Sequence, residues 1–447
     1  MRNTSHVNSK KIKALLLVAT LLLSPAFGGA GDWPEFRGTD RNAVWEADGL
    51  VENFEGMANP LPRVWSTPVG AGYSGPTVSG DSVYLMDRGA PGDATEVERI
   101  VCVDRTTGKP KWIHSYPCVY SDVGYAVGPR SSVTIRDGRA WALGMMGHLH
   151  CLDAASGQVI WAKDLAKDYK IDMPIWGLTA SPLVEGGTLV AQISAGPDEA
   201  CVVGLDPATG AEKWKLFSDK GSYVSPVVID QAGKRVTIVW TGERIAGIDA
   251  ATGTLYWEVP TKPNKMPINV PGPAFNADHT KMFLSVFYDG SRLIELDQTN
   301  PAAKELWHRQ GINERKTDAL HCMISPPFFR GEHIFGIDSY GQLRCLDPEN
   351  GNRIWENLTA LPQERWSTGF TAQNGENTWI VNERGEIMIT RFTLEGFEEI
   401  DRAALIEPTT PLKQRREGTV MWSYPAFAGT QVFVRNDRQL ICVELGK

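Results

Sequence analysis

The 447-residue sequence contains no apolar run of the roughly 20 residues that a membrane-spanning helix requires. Its early apolar run, Ala14 to Leu23, follows three lysines and precedes a group of small residues that ends at Ala30. This order is typical of a secretory signal, so we predict that residues 1–30 are removed on export. No cysteine lies near the run to accept a lipid anchor. We therefore expect a soluble exported protein, periplasmic or secreted, that starts near Gly31.

Positive charge is also scarce, since 45 Lys and Arg stand against 53 Asp and Glu, and the net charge is −8. A small cluster at Lys413, Arg415 and Arg416 has the composition of a solvated loop. Binding to nucleic acid would require a basic stripe to meet the phosphates, and the sequence has none. Nucleic acid is therefore not an expected partner.

What the sequence does have is a repeat, which is clearest just before Trp355. Leu343, Cys345 and Asp347 lie two residues apart, the spacing of one face of a β-strand. The Asp347 carboxylate can accept hydrogen bonds from the backbone N–H groups that follow it, and Gly351 can adopt the left-handed conformation of a tight turn. Asp-x-x-x-Gly therefore predicts a chain reversal, after which Trp355 lies on the returning strand.

The same pattern recurs along most of the chain, with its tryptophans 43 to 53 residues apart. Short strands repeated every 40–50 residues or so are typical of the blades of a β-propeller. Pro- or Ser-containing strand starts open eight such units, although the seventh lacks the Cys-Leu-Asp register and the final Trp. The tryptophans of the repeat are Trp65, Trp112, Trp161, Trp214, Trp257, Trp307 and Trp355.

The eighth unit ends one strand short, near Leu445, whereas Arg63 to Val69 resembles the last strand of a unit whose earlier strands are missing. We predict that this N-terminal strand completes the eighth blade, because ring closure removes exposed sheet edges. The predicted fold is all-β, an eight-bladed β-propeller of four-stranded antiparallel blades at residues 63–447. A lead-in segment at residues 31–62 precedes it and forms no blade.

The seven cysteines do not indicate disulfides. Four of them occupy one register in four different units, two residues before the acidic turn residue, and equivalent positions of different blades lie far apart. We expect these four to be small buried hydrophobic residues. They are Cys102, Cys151, Cys345 and Cys442, whereas Cys118, Cys201 and Cys322 have no assigned role.

The repeated Asp-x-x-x-Gly-x-x-x-Trp motif, the Asp32-Trp33-Pro34 opening and the count of eight units resemble the quinoprotein-like propellers over about residues 33–445. That superfamily contains the pyrroloquinoline-quinone (PQQ) alcohol dehydrogenases and the BamB-type outer-membrane assembly proteins. The resemblance implies the propeller fold and, for the seven repeat tryptophans, a packing role between neighbouring blades. It does not distinguish the functions, because the matching residues are structural.

Several motifs have a simpler structural interpretation than a chemical one. The Gly-x-Gly-x-x-Gly match at Gly70 to Gly75 is followed by no predicted helix, so we expect no nucleotide site. His148 and His150 share a strand face but lack a third ligand. Ser74 and Ser225 lack the Gly-x-Ser-x-Gly elbow and a histidine partner. The sequence therefore assigns no catalytic residue and no metal ligand. Acidic turn residues that could bind calcium, but are more typical of solvated loops, are Asp87, Asp93, Asp198, Glu199, Asp289 and Asp437.

Another set of residues lies just before each opening strand, where the chain crosses from the outer strand of one blade to the inner strand of the next. Loops near a propeller axis converge, so these side chains could ring one mouth of the central channel; alternatively, several are buried packing between blades. Aromatic and arginine groups in such a ring suit an organic or extended ligand. We expect Arg130, Trp176 and His321 to contribute most. The candidate ligand-binding residues are Tyr73, Arg130, Trp176, Tyr223, Asn269, His321, Trp366 and Trp422.

Two functions from different classes remain open. One is a non-catalytic, BamB-like binding or assembly scaffold, a monomer without a cofactor, that holds an unknown protein, peptide or small molecule at the mouth. The other is an alcohol or sugar dehydrogenase that uses PQQ and calcium. PQQ dehydrogenases of this fold generally carry long inserted loops and often a disulfide between adjacent cysteines. This sequence has neither, which favours the scaffold.

Overall fold

The computed structural model describes residue 1 and residues 31–89, 96–194, 196, 200–263, 265–412 and 416–447. Apart from residue 1, the predicted signal therefore lies outside the described residues. Five other residues named above also lie outside them: Asp93, Asp198, Glu199, Lys413 and Arg415. Within the described ranges, no helix is both long enough and apolar enough to cross a membrane.

The predicted all-β, eight-bladed propeller is confirmed, because the strands form eight four-stranded antiparallel sheets. A five-residue helix, α1 (Leu165–Tyr169), follows the outermost strand of blade two. In chain order the strands are β1 (Arg63–Pro68); β2 (Thr77–Ser79), β3 (Ser82–Asp87), β4 (Val97–Asp104) and β5 (Pro110–Pro117) in blade one; β6 (Thr134–Arg136), β7 (Arg139–Leu143), β8 (His148–Asp153) and β9 (Val159–Asp164) in blade two; β10 (Leu183–Glu185), β11 (Thr188–Gln192), β12 (Val202–Leu205) and β13 (Glu212–Leu216) in blade three; β14 (Val227–Gln231), β15 (Lys234–Trp240), β16 (Arg244–Ile248) and β17 (Leu255–Pro260) in blade four; β18 (Ala274–Phe275), β19 (Lys281–Val286), β20 (Gly290–Asp297) and β21 (Ala302–Arg309) in blade five; β22 (Phe328–Arg330), β23 (His333–Ile337), β24 (Leu343–Leu346) and β25 (Arg353–Asn357) in blade six; β26 (Gly369–Asn374), β27 (Asn377–Asn382), β28 (Glu386–Phe392) and β29 (Phe397–Ala404) in blade seven; the short pair β30 (Thr410–Pro411) and β31 (Thr419–Val420); and β32 (Ala426–Ala428), β33 (Gln431–Arg435) and β34 (Gln439–Glu444) in blade eight.

Blade eight is completed by the N-terminal strand, as predicted. β1 pairs with β34 in antiparallel register, so that Trp65 lies opposite Cys442 and Thr67 opposite Leu440. The first and last parts of the ring therefore share one sheet, and β34 does not present a bare edge.

The turn after each third strand accommodates the tryptophan of the preceding blade. Trp112 Nε1 donates to the carbonyl of Ala154 in the turn of blade two at 3.0 Å. A β-carbon at Gly157 would lie 2.5 Å from Cδ2 of Trp112, so this turn requires glycine for contact as well as for its φ of +73°. Corresponding Nε1 donors and carbonyl acceptors are Trp65 and Arg105, Trp161 and Pro207, Trp214 and Ala250, Trp307 and Pro348, and Trp355 and Thr393, whereas Trp257 donates to the Gln231 side chain of its own blade.

All seven cysteines are free and buried, which confirms the prediction for the four of the repeat register; the three that had no assigned role, Cys118, Cys201 and Cys322, are buried as well. Cys102 lies opposite Trp112 across the sheet, and Cys345 lies opposite Trp355. The cysteine register therefore supplies the small residue beside the repeat tryptophan.

The lead-in segment, residues 31–62, forms no blade but crosses one face of the ring. Trp33 forms an antiparallel β-bridge with Val78 of β2. The backbone N–H of Lys447 donates to the carbonyl of Gly49 at 2.8 Å. Inner strands begin at the predicted mouth and run away from it, so the segment and the C-terminal residue lie on the opposite face, called here the far face.

Arg41 is the residue of the lead-in segment that lies in the channel, and only 3% of it is exposed. Its Nε lies 2.7 Å from Oε2 of Glu35, and its Nη1 donates to the carbonyls of Ser181 at 3.1 Å and Pro226 at 2.9 Å. Its Nη2 donates to the carbonyl of Pro182. These carbonyls open blades three and four, so a single guanidinium satisfies backbone acceptors of two blades.

Candidate functional site at the channel mouth

Six of the eight predicted mouth residues line one cavity of about 120 Å³. Each lies on a connection between two blades, immediately before an inner strand, so six separate connections contribute one side chain each. An engineered apolar cavity of about 150 Å³ binds a benzene ring, which sets the scale of the group that this cavity can enclose. The six residues are Tyr73, Arg130, Trp176, Tyr223, Trp366 and Trp422.

Arg130 is the cation of this cavity. Its guanidinium carbon lies 4.7 Å from the centroid of the Tyr73 ring, and its Nη2 donates to the carbonyls of Tyr125 at 2.8 Å and Gly124 at 3.0 Å. Its Nε is buried without a hydrogen-bond partner, and no ion pair is found for Arg130 among the described residues. Burial lowers the pKa of Arg130, opposed by nearby tyrosines. The residue is thus a positioned cation that lacks a carboxylate.

The phenol of Tyr73 is also without a partner. Tyr73 is 6% exposed, and its hydroxyl oxygen makes no hydrogen bond to the described residues. Burial raises the pKa of Tyr73 to about 12 and that of Tyr223 to about 12. Both phenols therefore remain neutral hydrogen-bond donors at ordinary pH.

Aromatic rings form the rest of the wall. The ring centroids of Trp366 and Trp422 lie 6.4 Å apart, and those of Trp176 and Tyr223 lie 4.9 Å apart. Trp422 Nε1 donates to Oε2 of Glu383 at 3.2 Å, which fixes the indole orientation. The cavity therefore presents rigid apolar faces around a small number of polar groups, the composition of a ligand site.

Asn269 and His321 do not line the cavity, so for these two residues the packing alternative is correct. Asn269 is 1% exposed, and its Nδ2 donates to the carbonyl of Thr241 at 2.7 Å. His321 is 1% exposed; its Nδ1 lies 2.9 Å from the carbonyl oxygen of Phe287, and its Nε2 accepts from the N–H of Gly311 at 3.2 Å. Both side chains hold loop backbone, and the expectation that His321 would be a main binding residue is not supported by its position.

Three aromatic residues of the wall, Phe36, Tyr125 and Tyr424, were not among the candidates from the sequence. Tyr125 lies within the long connection from β5 to β6, where only the residue directly before the inner strand was considered. Phe36 reaches the cavity from the lead-in segment, and its ring packs edge-on against Tyr424 at 4.7 Å. The length of the first connection was a usable signal, but nothing in the lead-in pattern indicated a channel residue.

The serine and glycine motifs have structural roles. Ser225 Oγ accepts from the N–H of Ser181 at 2.8 Å, and Ser74 Oγ accepts from the N–H of Met86 at 3.1 Å. A β-carbon at Gly70 would lie 1.8 Å from the carbonyl oxygen of Gly89, so this loop is closely packed against backbone and leaves no room for a phosphate there.

The histidine pair of β8 lies in an aromatic cluster. His150 is buried, and its ring centroid lies 4.2 Å from that of Tyr116 and 5.0 Å from that of His114. Burial lowers the pKa of His150 to about 3, with further lowering from His114 and His148. This is a neutral packing histidine.

The acidic residues considered above as possible calcium ligands, where the structure describes them, bind basic side chains or a hydroxyl group. Asp87 pairs with Arg99 at 2.5 Å, and Asp289 pairs with Arg292 at 2.8 Å. Asp437 accepts from the hydroxyl of Thr410 at 2.7 Å. Across the ranges that the structure describes, no three His, Cys, Asp or Glu side chains are grouped to hold a metal ion.

Exposed apolar side chains also lie on the inter-blade connections of the mouth face. Ile312 is 88% exposed, the largest exposed fraction of this group. Isolated exposed apolar residues are ordinary, but five of the eight inter-blade connections each carry one here. This set, called the apolar rim, consists of Val119, Ile175, Met266, Ile312 and Leu358.

Comparisons with known proteins place the chain among propellers of more than one function. The model of a family described as "Outer membrane protein assembly factor BamB" matches residues 98–357 and 201–445. A curated relative, the outer membrane protein assembly factor BamB of Burkholderia pseudomallei, is 24% identical over 237 residues, which cover 51% of this chain and 54% of the relative. The chain thus matches about half the length of that relative.

Solved structures extend the likeness over nearly the whole ring. BamB from Moraxella catarrhalis is 14% identical with a TM-score of 0.57, covering 86% of this chain and 99% of that one. The quinohemoprotein alcohol dehydrogenase from Comamonas testosteroni is 13% identical with a TM-score of 0.64, covering 93% of this chain and 81% of that one. At these identities the likeness bears on the fold alone.

Proposed function

The chain belongs to the family described as outer membrane protein assembly factor BamB, and from this we propose that it is a non-catalytic binding scaffold that receives a segment of a partner protein at the channel mouth. The observation that carries the proposal is the aromatic cavity, whose Arg130 forms no ion pair among the described residues, together with the apolar rim on the inter-blade connections of the same face. Tyr, Trp and Arg are the residues in which protein-binding energy is concentrated, and water exclusion by surrounding apolar contacts strengthens them.

The chemistry of the cavity favours a segment that carries a carboxylate beside an apolar or aromatic side chain. The carboxylate would pair with the guanidinium of Arg130, whose Nε has no hydrogen-bond partner among the described residues, and accept from the hydroxyl of Tyr73, which also has none. The apolar group would lie between Trp176 and Trp422, whose rings line the same cavity. The indole of Trp422 is already held by Glu383, so little of its side-chain entropy would be lost on binding.

The setting that we propose is the periplasm, at the outer membrane. The family description names an outer-membrane assembly factor, and the sequence predicts an export signal at residues 1–30. The curated relative is named for the same assembly role. Its partners are not transferred to this chain, because the match spans 54% of that relative.

The cavity fits PQQ and calcium poorly, which supports a scaffold over a dehydrogenase. PQQ carries three carboxylates, whereas Arg130 is the one cation among the described residues that line the cavity. Glu383 is the nearby carboxylate, but its Oε1 lies 2.6 Å from Nη2 of Arg416 and its Oε2 accepts from Trp422. Both oxygens face donors, and a metal ion would have to displace them.

The proposal is tested by comparing retention of partner proteins by affinity-tagged variants in periplasmic extract of the source cell. In Arg130→Gln/Trp176→Ala we expect at least about a tenfold loss of the specifically retained protein, since each truncated hot spot costs about 2 kcal/mol or more. The matched control is Leu255→Ser/Leu394→Ser, which alters two exposed apolar residues away from the mouth, 42% and 46% exposed. Equal retention by the mouth variant, with an unchanged circular-dichroism spectrum, would refute a binding role for this cavity.

A further inference from the structure

We infer that the far face of the channel holds a second ligand site, for a small oxyanion of the carboxylate or phosphate class, with Arg37 as its cation. The site is separate from the mouth cavity and does not depend on the function proposed for the mouth. It is formed between the lead-in segment and the inner strands of blades four, five and six.

Arg37 is a buried cation with almost no partner. It is 6% exposed, and its side-chain hydrogen bond among the described residues is a long one, 3.4 Å from Nη2 to the carbonyl oxygen of Asn42. A guanidinium has five N–H donors, so most of its donors are unused. No carboxylate of the described residues lies within ion-pair distance of it. Burial lowers the pKa of Arg37, opposed by Tyr424.

The energetic consequence is that this charge is stabilised by water in the cavity it lines or by a counter-charge from outside the chain. Removing a charged group from water costs several kcal/mol unless a counter-charge or a full set of hydrogen bonds replaces the hydration. The other channel arginine, Arg41, satisfies this requirement with Glu35 and backbone carbonyls. Arg37 lies four residues earlier on the same segment and has no such set.

Arg37 lines a cavity of about 410 Å³, which has room for an oxyanion and its water. One side of the cavity is the lead-in turn, which includes Asn42. The other side comprises Val228 of β14, Phe275 of β18 and Phe329 of β22. An anion bound here would bridge the lead-in segment and three inner strands.

The other charged and titratable groups that line the cavity leave Arg37 as its unpaired positive charge. Arg235 lies 3.2 Å from Glu185 and 3.4 Å from Asp230, so its charge is neutralised at the surface. Asp40 and Asp230 are exposed to solvent, where water and salt weaken their repulsion of an anion. His279 also borders the cavity and is partly exposed. A guanidinium matches two oxygens of a carboxylate or phosphate through two parallel hydrogen bonds.

The experiment follows thermal unfolding of the full chain in a zwitterionic buffer, with sodium phosphate or sodium acetate titrated against sodium chloride at constant ionic strength. Because a ligand that binds only the folded state raises its stability, we expect at least one oxyanion to raise the unfolding temperature of the unaltered protein. In Arg37→Met the rise should be absent. Arg235→Gln, which alters a paired arginine of the same cavity, should retain it.

Arg37→Lys gives an independent measurement if the methionine variant does not fold. Lysine keeps the charge but loses the two-pronged geometry, so we expect the half-maximal phosphate or acetate concentration to rise about tenfold. The inference is overturned if neither oxyanion raises the unfolding temperature above the chloride reference. It is equally overturned if the Arg37 variants respond as the unaltered protein does, because the anion would then bind elsewhere.

Discussion

The indole Nε1 of Trp65 donates a 2.8 Å hydrogen bond to the carbonyl oxygen of Arg105, which joins the strand that closes the ring to the turn of the first blade. A β-carbon at Gly108 of that turn would lie 2.6 Å from two carbons of the Trp65 ring. The contact fixes β1 against blade one, and β1 in turn pairs with β34, so Trp65 lies at the seam where the ring closes without a covalent connection. Ring stability should therefore be unusually sensitive to Trp65.

We expect Trp65→Ala to lower the free energy of unfolding by about 3–5 kcal/mol, because it removes a buried indole and leaves a cavity between two blades. Trp65 is 8% exposed, whereas its neighbour Val64 is 48% exposed. Val64→Ala is thus the matched control, with an expected change below about 0.5 kcal/mol. Denaturant unfolding measures both, and equal stability of the two variants would contradict the closing role of Trp65.

We expect Arg41→Gln to lower the free energy of unfolding by about 3–5 kcal/mol, as is typical when one partner of a buried charge pair is removed. The substitution leaves Glu35 with Arg136 alone and frees the carbonyls of Ser181 and Pro226. Asp40→Asn, at an exposed neighbouring position, is the control. Limited proteolysis gives a second measurement, since the lead-in should be cleaved faster in Arg41→Gln. Unchanged cleavage and stability would show that the segment is not held by this side chain.

Stability should fall with acid through His150. Its pKa is about 3 in the fold against 6.5 as the ordinary value, so the unfolded chain binds the proton more readily. The contribution is fully present above about pH 6.5 and is lost as the pH falls toward 3, which amounts to about 2 kcal/mol at pH 5. His150→Phe should reduce the loss between pH 7 and pH 5 by that amount. Parallel pH profiles for the unaltered protein and His150→Phe would contradict the buried neutral assignment.

We expect no alcohol- or sugar-dependent dye reduction when the purified protein is incubated with PQQ and calcium. The mouth offers one cation for three carboxylates, and no adjacent cysteines are available to cover a quinone. A known PQQ dehydrogenase, assayed in parallel, establishes that the assay works. Turnover that requires both PQQ and calcium, and that is lost in Arg130→Gln, would make the dehydrogenase the better assignment.

The ring could be predicted from the sequence because its determinants are local. Asp347 accepts from the N–H of Glu349 at 2.9 Å, and Gly351 has a φ of +70°, so a turn is specified within a few residues. Trp355 then follows at a fixed distance along the chain. Such a unit can be recognised wherever it recurs, and its count gives the number of blades.

The contents of the channel could not be predicted in this way. Arg41 binds carbonyls that lie 140 and 185 residues away. Every residue type has a backbone carbonyl, so the sequence does not indicate which residues accept these hydrogen bonds. The mouth illustrates a second limit, because Arg130 and His321 occupy equivalent sequence positions. One side chain faces the cavity and the other turns back to the carbonyl of Phe287, a direction set by the path of each loop.

The hydrogen bond from the backbone of Lys447 to Gly49 determines how the molecule can be presented in an experiment. A linker attached after Lys447 leaves the ring on the far face, beside the lead-in segment. A protein immobilised through that linker would therefore turn its far face toward the support and its mouth toward the solution. Partners of the mouth would reach it freely, whereas a linker inserted into an inter-blade connection would obstruct them.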